Sequence, residues 1–192
     1  MNRHAYWGEG GLELMDIDIV VRAAKQEDLD EVESLYNALN DYLAVHENYP
    51  RWKKGIYPLR EHAEEGIRTK SLYVATYEGK IIGTVIYLSE QGQAYQDVDW
   101  QIDFDVPVIV IHILAVHPDY FGCGVGKALL DYAVYFGKKK GKKAIRLDTY
   151  EENLPAVRLY EKCGFQERGK VDLGLESVYG LKWYRVFEKV IG

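Results

Sequence analysis

Three glycines at alternate positions in the middle of the chain could bind a phosphate group. The stretch "HPDYFGCGVGKALL", residues 117–130, places Gly122, Gly124 and Gly126 directly before an apolar segment. Glycine disfavours a helix by about 1 kcal/mol relative to alanine, and a tight turn would not need so many. Main-chain N–H groups at a helix start have no partners and carry partial positive charge. Because glycine lets such groups approach a ligand closely, the three glycines favour a phosphate-binding loop.

The spacing excludes two common phosphate-binding loops. A Walker loop needs a glycine at the position of Phe121, and serine or threonine after Lys127, where Ala128 stands. The dinucleotide-binding fingerprint needs its third glycine at the position of Lys127 and an acidic residue at a suitable distance after it. Neither pattern is met, so a nucleotide hydrolase and a dinucleotide-binding enzyme are both disfavoured.

Two strands and two helices must position these glycines. The run from Val108 to Val116 is apolar on both faces and predicts a buried strand. Apolar residues after the glycines recur at the spacing of a core-facing helix. "AIRLDTY", residues 144–150, predicts a strand, and "LPAVRLYEKC", residues 154–163, predicts a helix with Pro155 in its first turn. This strand–helix–strand unit implies a right-handed crossover between two parallel strands.

Outside this unit the chain carries further helical and strand patterns. The predicted elements are a strand at 17–24, a helix at about 26–45, a short helix within 58–70, a hairpin of 71–78 with 81–88, a polar loop or ragged strand end at 89–105, and a closing strand at 183–191. No repeat or low-complexity linker interrupts them, which predicts a single mixed α/β domain over residues 15–192. Residues 1–14 are expected to be an N-terminal extension, either disordered or added for expression.

Composition narrows the classes of partner. The chain of 192 residues has a net charge of −6, which disfavours general electrostatic binding to nucleic acid. The lysine-rich run at 138–143 follows a helical pattern and is predicted to be a solvated helix end. Cys123 and Cys163 have neither disulfide nor metal spacing, and the apolar run at 106–116 is too short to span a bilayer. We expect a cytoplasmic protein that binds no metal, nucleic acid or membrane.

Two motifs resemble, in order, those of the GNAT superfamily of N-acetyltransferases. "FGCGVGKALL" after the strand "HILAVHPDY" is similar to the family's Arg/Gln-x-x-Gly-x-Gly/Ala signature, with Phe121 in the first position. "NLPAVRLYEKCGF", residues 153–165, is similar to its Asn-x-x-Ala-x-x-x-Tyr segment and terminal Gly-Phe. The resemblance covers residues 108–165. It implies an α/β fold with a GNAT-type mixed sheet, mostly antiparallel with a central parallel strand pair and helices on both faces.

The resemblance implies that the glycine loop binds the pyrophosphate of acetyl-CoA, which serves as co-substrate without a metal. The implied cofactor-binding residues are Phe121, Gly122, Cys123, Gly124, Val125, Gly126 and Lys127 in the loop, Leu114, Ala115 and Val116 in the strand, and Asn153 and Ala156 in the second motif. The strand residues would pair their main chain with the pantetheine arm, as in strand addition. Phe121 lacks the side-chain donor of the family's Arg or Gln, so we expect acetyl-CoA binding to be kept but weakened.

The resemblance also implies direct acyl transfer from the thioester to an amine. Asn153, Ala156 and Tyr160 share one helix face, and Tyr160 would be the general acid for the departing thiolate. His112, within the apolar strand, is similar to the base of the arylalkylamine branch of the family. A core histidine bonded to a main-chain carbonyl, or deprotonation through a water chain, stays open. Cys123 lies at a helix start, where a thiol pKa tends to fall, so we expect a reactive thiol without a catalytic role.

The acceptor is predicted to be a primary amine on a small molecule, an amino acid or a peptide. Asp41 and Glu47 lie among aromatic residues that would suit a cationic amine or, equally, a subunit interface in a homodimer. These aromatic residues are Tyr36, Tyr42, Tyr49, Trp52, Tyr57, Tyr179 and Trp183. The alternative function is a non-catalytic coenzyme A-binding sensor or regulatory domain, which the presence of Tyr160 and His112 disfavours.

Overall fold

The computed structural model describes residues 2–8 and 11–192, and within them it contains nine strands and five α-helices. The strands are β1 (Asn2–Gly8), β2 (Gly11–Ile17), β3 (Val20–Ala23), β4 (Leu72–Tyr77), β5 (Lys80–Leu88), β6 (Val108–Val116), β7 (Ala144–Tyr150), β8 (Gln166–Asp172) and β9 (Trp183–Val190). The helices are α1 (Leu29–Val45), α2 (Arg60–Arg68), α3 (Val125–Lys139), α4 (Leu154–Lys162) and α5 (Glu176–Tyr179). Each helix and strand predicted between residues 17 and 191 is present, and β8 and α5 are additional.

Seven of the strands form a mixed sheet. Their order is β3-β4-β5-β6-β7-β9-β8. β6 and β7 are parallel, with paired residues from Val108–Ala144 to Ile111–Leu147. The pairs β3–β4, β4–β5, β7–β9 and β8–β9 are antiparallel. The predicted mixed α/β fold with a central parallel strand pair is therefore confirmed.

The chain divides into two compact units. The first unit comprises Met1–His46, Trp52–Ile86 and Ile113–Leu130, and the second comprises Glu47–Arg51, Tyr87–His112 and Asp131–Gly192. β1 and β2 pair antiparallel, and the interpretation of residues 1–14 as an N-terminal extension stays a prediction. Met1, Glu9 and Gly10 lie outside the described residues, and the assignment of residues 15–192 to a single domain stays a prediction.

The first unit is built around α1 and the β4–β5 hairpin. The buried face of α1 follows the helical period and consists of Leu29, Val32, Leu35, Tyr36, Leu39, Asn40 and Leu43. The hairpin turns at Glu78 and Gly79, whose φ angles of 48° and 79° are both left-handed. A two-residue hairpin turn requires such angles, and it lies one residue earlier than the position 79–80 that the sequence predicts.

β5 approaches the start of α3 closely at Gly83. A Cβ atom added to Gly83 would lie 2.5 Å from Val125 Cγ1 and 3.3 Å from the carbonyl oxygen of Ala115. A side chain at this position would therefore displace the strand or the first turn of α3. Glycine here sets the spacing between β5 and the helix that carries the glycine loop.

Gly83→Ala should lower the free energy of unfolding by about 1–3 kcal/mol, because the added methyl group overpacks a filled site. Urea unfolding measures the effect. Gly92→Ala is the matched control, since a Cβ atom there would meet no heavy atom within 4 Å. Equal unfolding midpoints for the two variants would contradict the close approach of β5 to Val125.

Candidate functional site

The glycine loop leaves β6 and enters α3 with two of its glycines in a conformation that other residues rarely adopt. Gly122 and Gly124 have φ angles of 79° and 80°, in the left-handed region that favours glycine. The Ala128 N–H group donates the first helical hydrogen bond, to the Gly124 carbonyl at 2.9 Å. The N–H groups of Val125 and Gly126 precede that bond, in the first turn of the helix. Left-handed glycines at a helix start are compatible with an anion-binding loop, and binding of a phosphate group here stays a prediction.

Two of the implied main-chain donors serve the loop itself. The Phe121 N–H group donates to the Pro118 carbonyl at 3.1 Å, and the Cys123 N–H group donates to the Tyr120 carbonyl at 3.3 Å. These bonds close the turn that follows β6, so neither group points at a ligand. Of the main-chain N–H groups implied as donors to the pyrophosphate, those of the glycines and of the first turn of α3 therefore remain candidates.

The Phe121 side chain makes an aromatic contact in place of a polar one. Its ring is 45% exposed and meets Tyr42 of α1 edge-on, with ring centroids 5.3 Å apart. Tyr42 in turn stacks on His46 at 3.8 Å. Phe121 thus packs the glycine loop against the C-terminal end of α1, although its side chain supplies no hydrogen-bond donor.

The expected reactivity of Cys123 is wrong. Its side chain is fully buried, and its Sγ–H donates to the Phe121 carbonyl at 3.3 Å. Burial raises the pKa of the thiol to about 11, because the thiolate would lose its hydration. A helix start lowers a thiol pKa only where the sulfur faces the helix N–H groups or solvent.

The strand before the loop has an irregular main chain. Ile113 has a φ angle of 46°, which is an outlier for a β-branched residue. Such a residue interrupts the regular ladder of a strand. The side chains of Leu114 and Val116 that follow are half-buried, and Ala115 is buried. That the main chain of these three residues binds pantetheine stays a prediction.

In the second unit, four side chains gather around Asp148 of β7. The paired positions of β6 and β7 end at Ile111 and Leu147, and the next residues of the two parallel strands are His112 and Asp148. The Tyr95 hydroxyl donates to Asp148 Oδ2 at 2.7 Å. Tyr160 of α4 and Tyr184 of β9 are buried, and the charge of Asp148 acts on both phenols.

The electrostatics of this cluster follow from burial and from the charge of Asp148. Burial lowers the pKa of His112, and the Asp148 carboxylate opposes that shift. Burial raises the pKa of Asp148, against the hydrogen bond from Tyr95 and the charge of His112. Burial and then Asp148 raise the pKa of Tyr160 and bring that of Tyr184 to about 12. The cluster therefore combines a neutral imidazole and a carboxylate that could accept a proton with phenols that keep theirs.

The two implied cofactor residues of the second motif begin α4. Asn153 caps the helix, and its Nδ2 donates to Thr149 Oγ1 at 2.9 Å. Its carbonyl accepts from the Val157 N–H group at 3.1 Å. Ala156 is half-buried, one turn before Tyr160. The structure thus gives Asn153 a role in joining β7 to α4, and contact of Asn153 and Ala156 with a cofactor stays a prediction.

Sequence reasoning missed Asp148 and Tyr95. The sequence does mark Asp148, because it is the one acidic residue in the otherwise strand-like segment "AIRLDTY". A charge in a buried strand requires partners, which would have indicated a polar cluster. No sequence signal marks Tyr95, because it lies in a polar segment without periodicity.

Neither a metal site nor a membrane span emerges from the part of the chain that the structure describes. Among those residues, no group of three or more His, Cys, Asp or Glu side chains could hold a metal ion. No helix among residues 2–8 and 11–192 is long and apolar enough to cross a bilayer.

Residues 32–165 match the family described as Acetyltransferase (GNAT) family. The chain belongs to this GNAT family. An uncharacterised N-acetyltransferase of Methanocaldococcus jannaschii is 27% identical to this GNAT chain over 173 residues, which are 88% of the chain and 66% of that relative. The chain thus spans just under two thirds of that relative's length.

Two further comparisons agree with this assignment, one in sequence and one in fold. An N-alpha-acetyltransferase of Sulfurisphaera tokodaii is 27% identical over 152 residues, 77% of this GNAT chain and 80% of that relative. The solved structure of a GNAT-family acetyltransferase from Streptococcus agalactiae has a TM-score of 0.72 at 18% identity, covering 90% of this chain and 95% of that one. At that identity the structural likeness shows the shared fold.

Gly122→Ala should weaken acetyl-CoA binding about tenfold or more, measured by isothermal titration calorimetry, because the new residue resists the left-handed angle and rotates the loop N–H groups. Gly55→Ala is a matched control, since both glycines are left-handed and neither added Cβ atom would meet an atom within 4 Å. Both variants should lose similar stability, and only the first should lose affinity. Equal acetyl-CoA affinities would contradict the assignment of the loop.

Proposed function

We propose that this protein is an acetyl-CoA-dependent N-acetyltransferase that transfers an acetyl group to a primary amine by direct attack on the thioester. The observation that carries the proposal is the cluster of His112, Asp148 and Tyr160 in the second unit of a GNAT-family chain. It combines a group that could accept the amine proton with a phenol whose O–H could donate a hydrogen bond to the departing thiolate, and both assist acyl transfer to an amine. The left-handed glycines of the loop support acetyl-CoA as the donor.

The chemistry assigns one task to each side chain. The Asp148–His112 pair accepts the proton that the amine must lose before, or as, its nitrogen attacks the acetyl carbon. The carbon–sulfur bond then breaks, leaving an amide and the coenzyme A thiolate. Tyr160 keeps its proton because burial and the nearby Asp148 carboxylate both raise its pKa. It therefore presents an O–H donor to the departing sulfur.

The proposed class of acceptor rests on the name of one relative and on the charge and rings of the cluster. The relative from Sulfurisphaera tokodaii is named an N-alpha-acetyltransferase, which supports an amine acceptor. We infer a small amine, an amino acid or a peptide amine, because Asp148 provides a negative charge among phenol rings, an arrangement that favours an ammonium group. A cytoplasmic location and the absence of nucleic-acid partners stay predictions.

Tyr160→Phe should reduce kcat by about 10²–10⁴-fold while the acetyl-CoA dissociation constant changes little, because only the proton donor is removed. Thiol release from acetyl-CoA with a panel of amines gives the rate, and calorimetry gives the affinity. Tyr135→Phe is the control, since that ring lies on α3 and is 56% exposed. Acetyl-CoA binding by the wild-type protein with no turnover on any amine would instead favour the sensor function.

The pH dependence should report the state of Asp148. Its pKa is raised above the ordinary aspartate value by burial, and only the ionised form accepts a proton. We therefore expect kcat/KM to fall as the pH drops through that raised pKa. Asp148→Asn should abolish this acidic limb and reduce kcat/KM by about 10²–10⁴-fold, whereas Asp97→Asn, at an exposed position, should leave the profile unchanged. An acidic limb that persists in Asp148→Asn would assign it to another group.

A further inference from the structure

The segment between β5 and β6, residues 89–107, is anchored on one face of the second unit. Sequence patterns predict a polar loop here, yet two of its aromatic residues are buried: Tyr95 is 2% exposed and Trp100 is 8% exposed. Tyr95 lies in a short 3-10 turn, Gln93–Tyr95. A polar surface loop does not normally bury two such rings, so other contacts must hold the segment in place.

A buried ion pair provides the anchor. Arg146 of β7 and Glu188 of β9 are paired positions on neighbouring strands, and they are 0% and 1% exposed. Arg146 Nε and Nη2 donate to Glu188 Oε1 at 3.0 and 2.8 Å. Two buried charges are tolerated only when their remaining donors and acceptors also have partners.

The segment supplies those remaining partners. Arg146 Nη1 donates to Gln91 Oε1 at 2.6 Å, and Nη2 donates to the Ile102 carbonyl at 2.6 Å. The Gln101 N–H group donates to Glu188 Oε2 at 2.6 Å. Residues from both ends of the segment therefore complete the ion pair, so displacing the segment would leave buried charges without partners.

The same anchor fixes the position of Tyr95. The Trp100 ring lies over the Arg146 guanidinium, 4.3 Å from ring centroid to Cζ, and its Nε1–H group donates to the Tyr95 carbonyl at 2.8 Å. Arg146 and Asp148 are two positions apart on β7 and so share one face of the strand. With its main chain tied to Trp100, Tyr95 can place its hydroxyl 2.7 Å from Asp148 Oδ2.

We propose that Tyr95 is a positioning residue whose hydroxyl, held by the anchored segment 89–107, orients the Asp148 carboxylate and keeps it ionised beside His112. The role of Asp148 in proton removal rests on the proposed function. A hydrogen bond to a charged acceptor is stronger and more directional than one between neutral groups. The Tyr95 hydroxyl could have donated to a main-chain carbonyl instead. Because it donates to Asp148, it also restricts the rotation of that carboxylate.

Four titratable groups from the surrounding elements interact with Asp148, Tyr95 through a hydrogen bond and the others through electrostatics. They are His112 from β6, Tyr95 from the anchored segment, Tyr160 from α4 and Tyr184 from β9. Among them, Tyr95 and His112 lower the pKa of Asp148. Burial and then Asp148 raise the pKa of Tyr95, and the charge of Arg146 opposes that shift, so the phenol stays a donor. Removing the Tyr95 hydroxyl should therefore raise the pKa of Asp148 and, because less carboxylate charge remains at a given pH, lower that of His112.

The first experiment compares Tyr95→Phe with Tyr135→Phe in the full chain. We expect the acidic limb of the kcat/KM profile to move to higher pH in Tyr95→Phe alone. On that limb kcat/KM should be about tenfold lower than in the wild-type protein, and at higher pH the two values should be nearly equal. A purely structural role would lower the rate by the same factor at every pH. A limb that stays in place in Tyr95→Phe would overturn the proposal.

The second experiment does not depend on acetyl transfer. NMR titration of the His112 ring, assigned among the five histidines by comparison with His112→Gln, should show a lower apparent pKa in Tyr95→Phe and an unchanged one in Tyr135→Phe. Trp100→Phe keeps an aromatic ring over Arg146 but lacks the donor to Tyr95, so it should shift the titration in the same direction by less. It also provides a test if Tyr95→Phe does not fold.

The outcomes separate the two proposals. If the wild-type protein transfers no acetyl group to any amine, the proposed function fails, and the His112 titration still decides whether Tyr95 controls the Asp148–His112 pair. If acetyl transfer is present and neither the limb nor the His112 titration moves, the positioning role fails alone.

Discussion

The parallel pairing of β6 with β7 is the constraint on which the rest of the second unit depends. The last paired positions of the two strands are Ile111 and Leu147, and the residues that follow them are His112 and Asp148. The face of β7 that carries Asp148 also carries Arg146, two residues earlier. The β6–β7 register thus sets the polar cluster, and the antiparallel pairing of β7 with β9 aligns Arg146 with Glu188 next to it.

Burial of these charges links the stability of the unit to its chemistry. A buried ion pair such as Arg146–Glu188 contributes little net stability, and removing one partner costs about 3–5 kcal/mol. The ion pair matters here for geometry, because its remaining donors and acceptors bind residues 89–107 and thereby fix the position of Tyr95. Asp148 lies at the end of the same arrangement, where burial makes its protonation state sensitive to a single hydrogen bond. Perturbed pKa values of this kind are typical of groups that transfer protons at functional sites.

Local patterns predicted most elements well, and their failures have physical reasons. β6 and β7 have the bounds expected from their apolar runs, because apolar sequence and strand burial are directly related. β8 was missed because it lies at the sheet edge and Val171 is its one buried side chain within the described residues, so the alternation that indicates a strand is absent. The thiol of Cys123 was misjudged because its burial depends on packing that no short sequence window contains.

What the sequence determined by itself is local: the helical and strand periods, and the left-handed glycines that the loop requires at Gly122 and Gly124. These depend on each residue's own backbone preferences and near neighbours. The tertiary structure alone decided that Tyr95 bonds Asp148, which is 53 positions away in the chain, and that Arg146 meets both Glu188 and the segment 89–107. Contacts between distant residues, and the desolvation that shifts their pKa values, exist only once the strands have paired, and so they cannot be read from spacing.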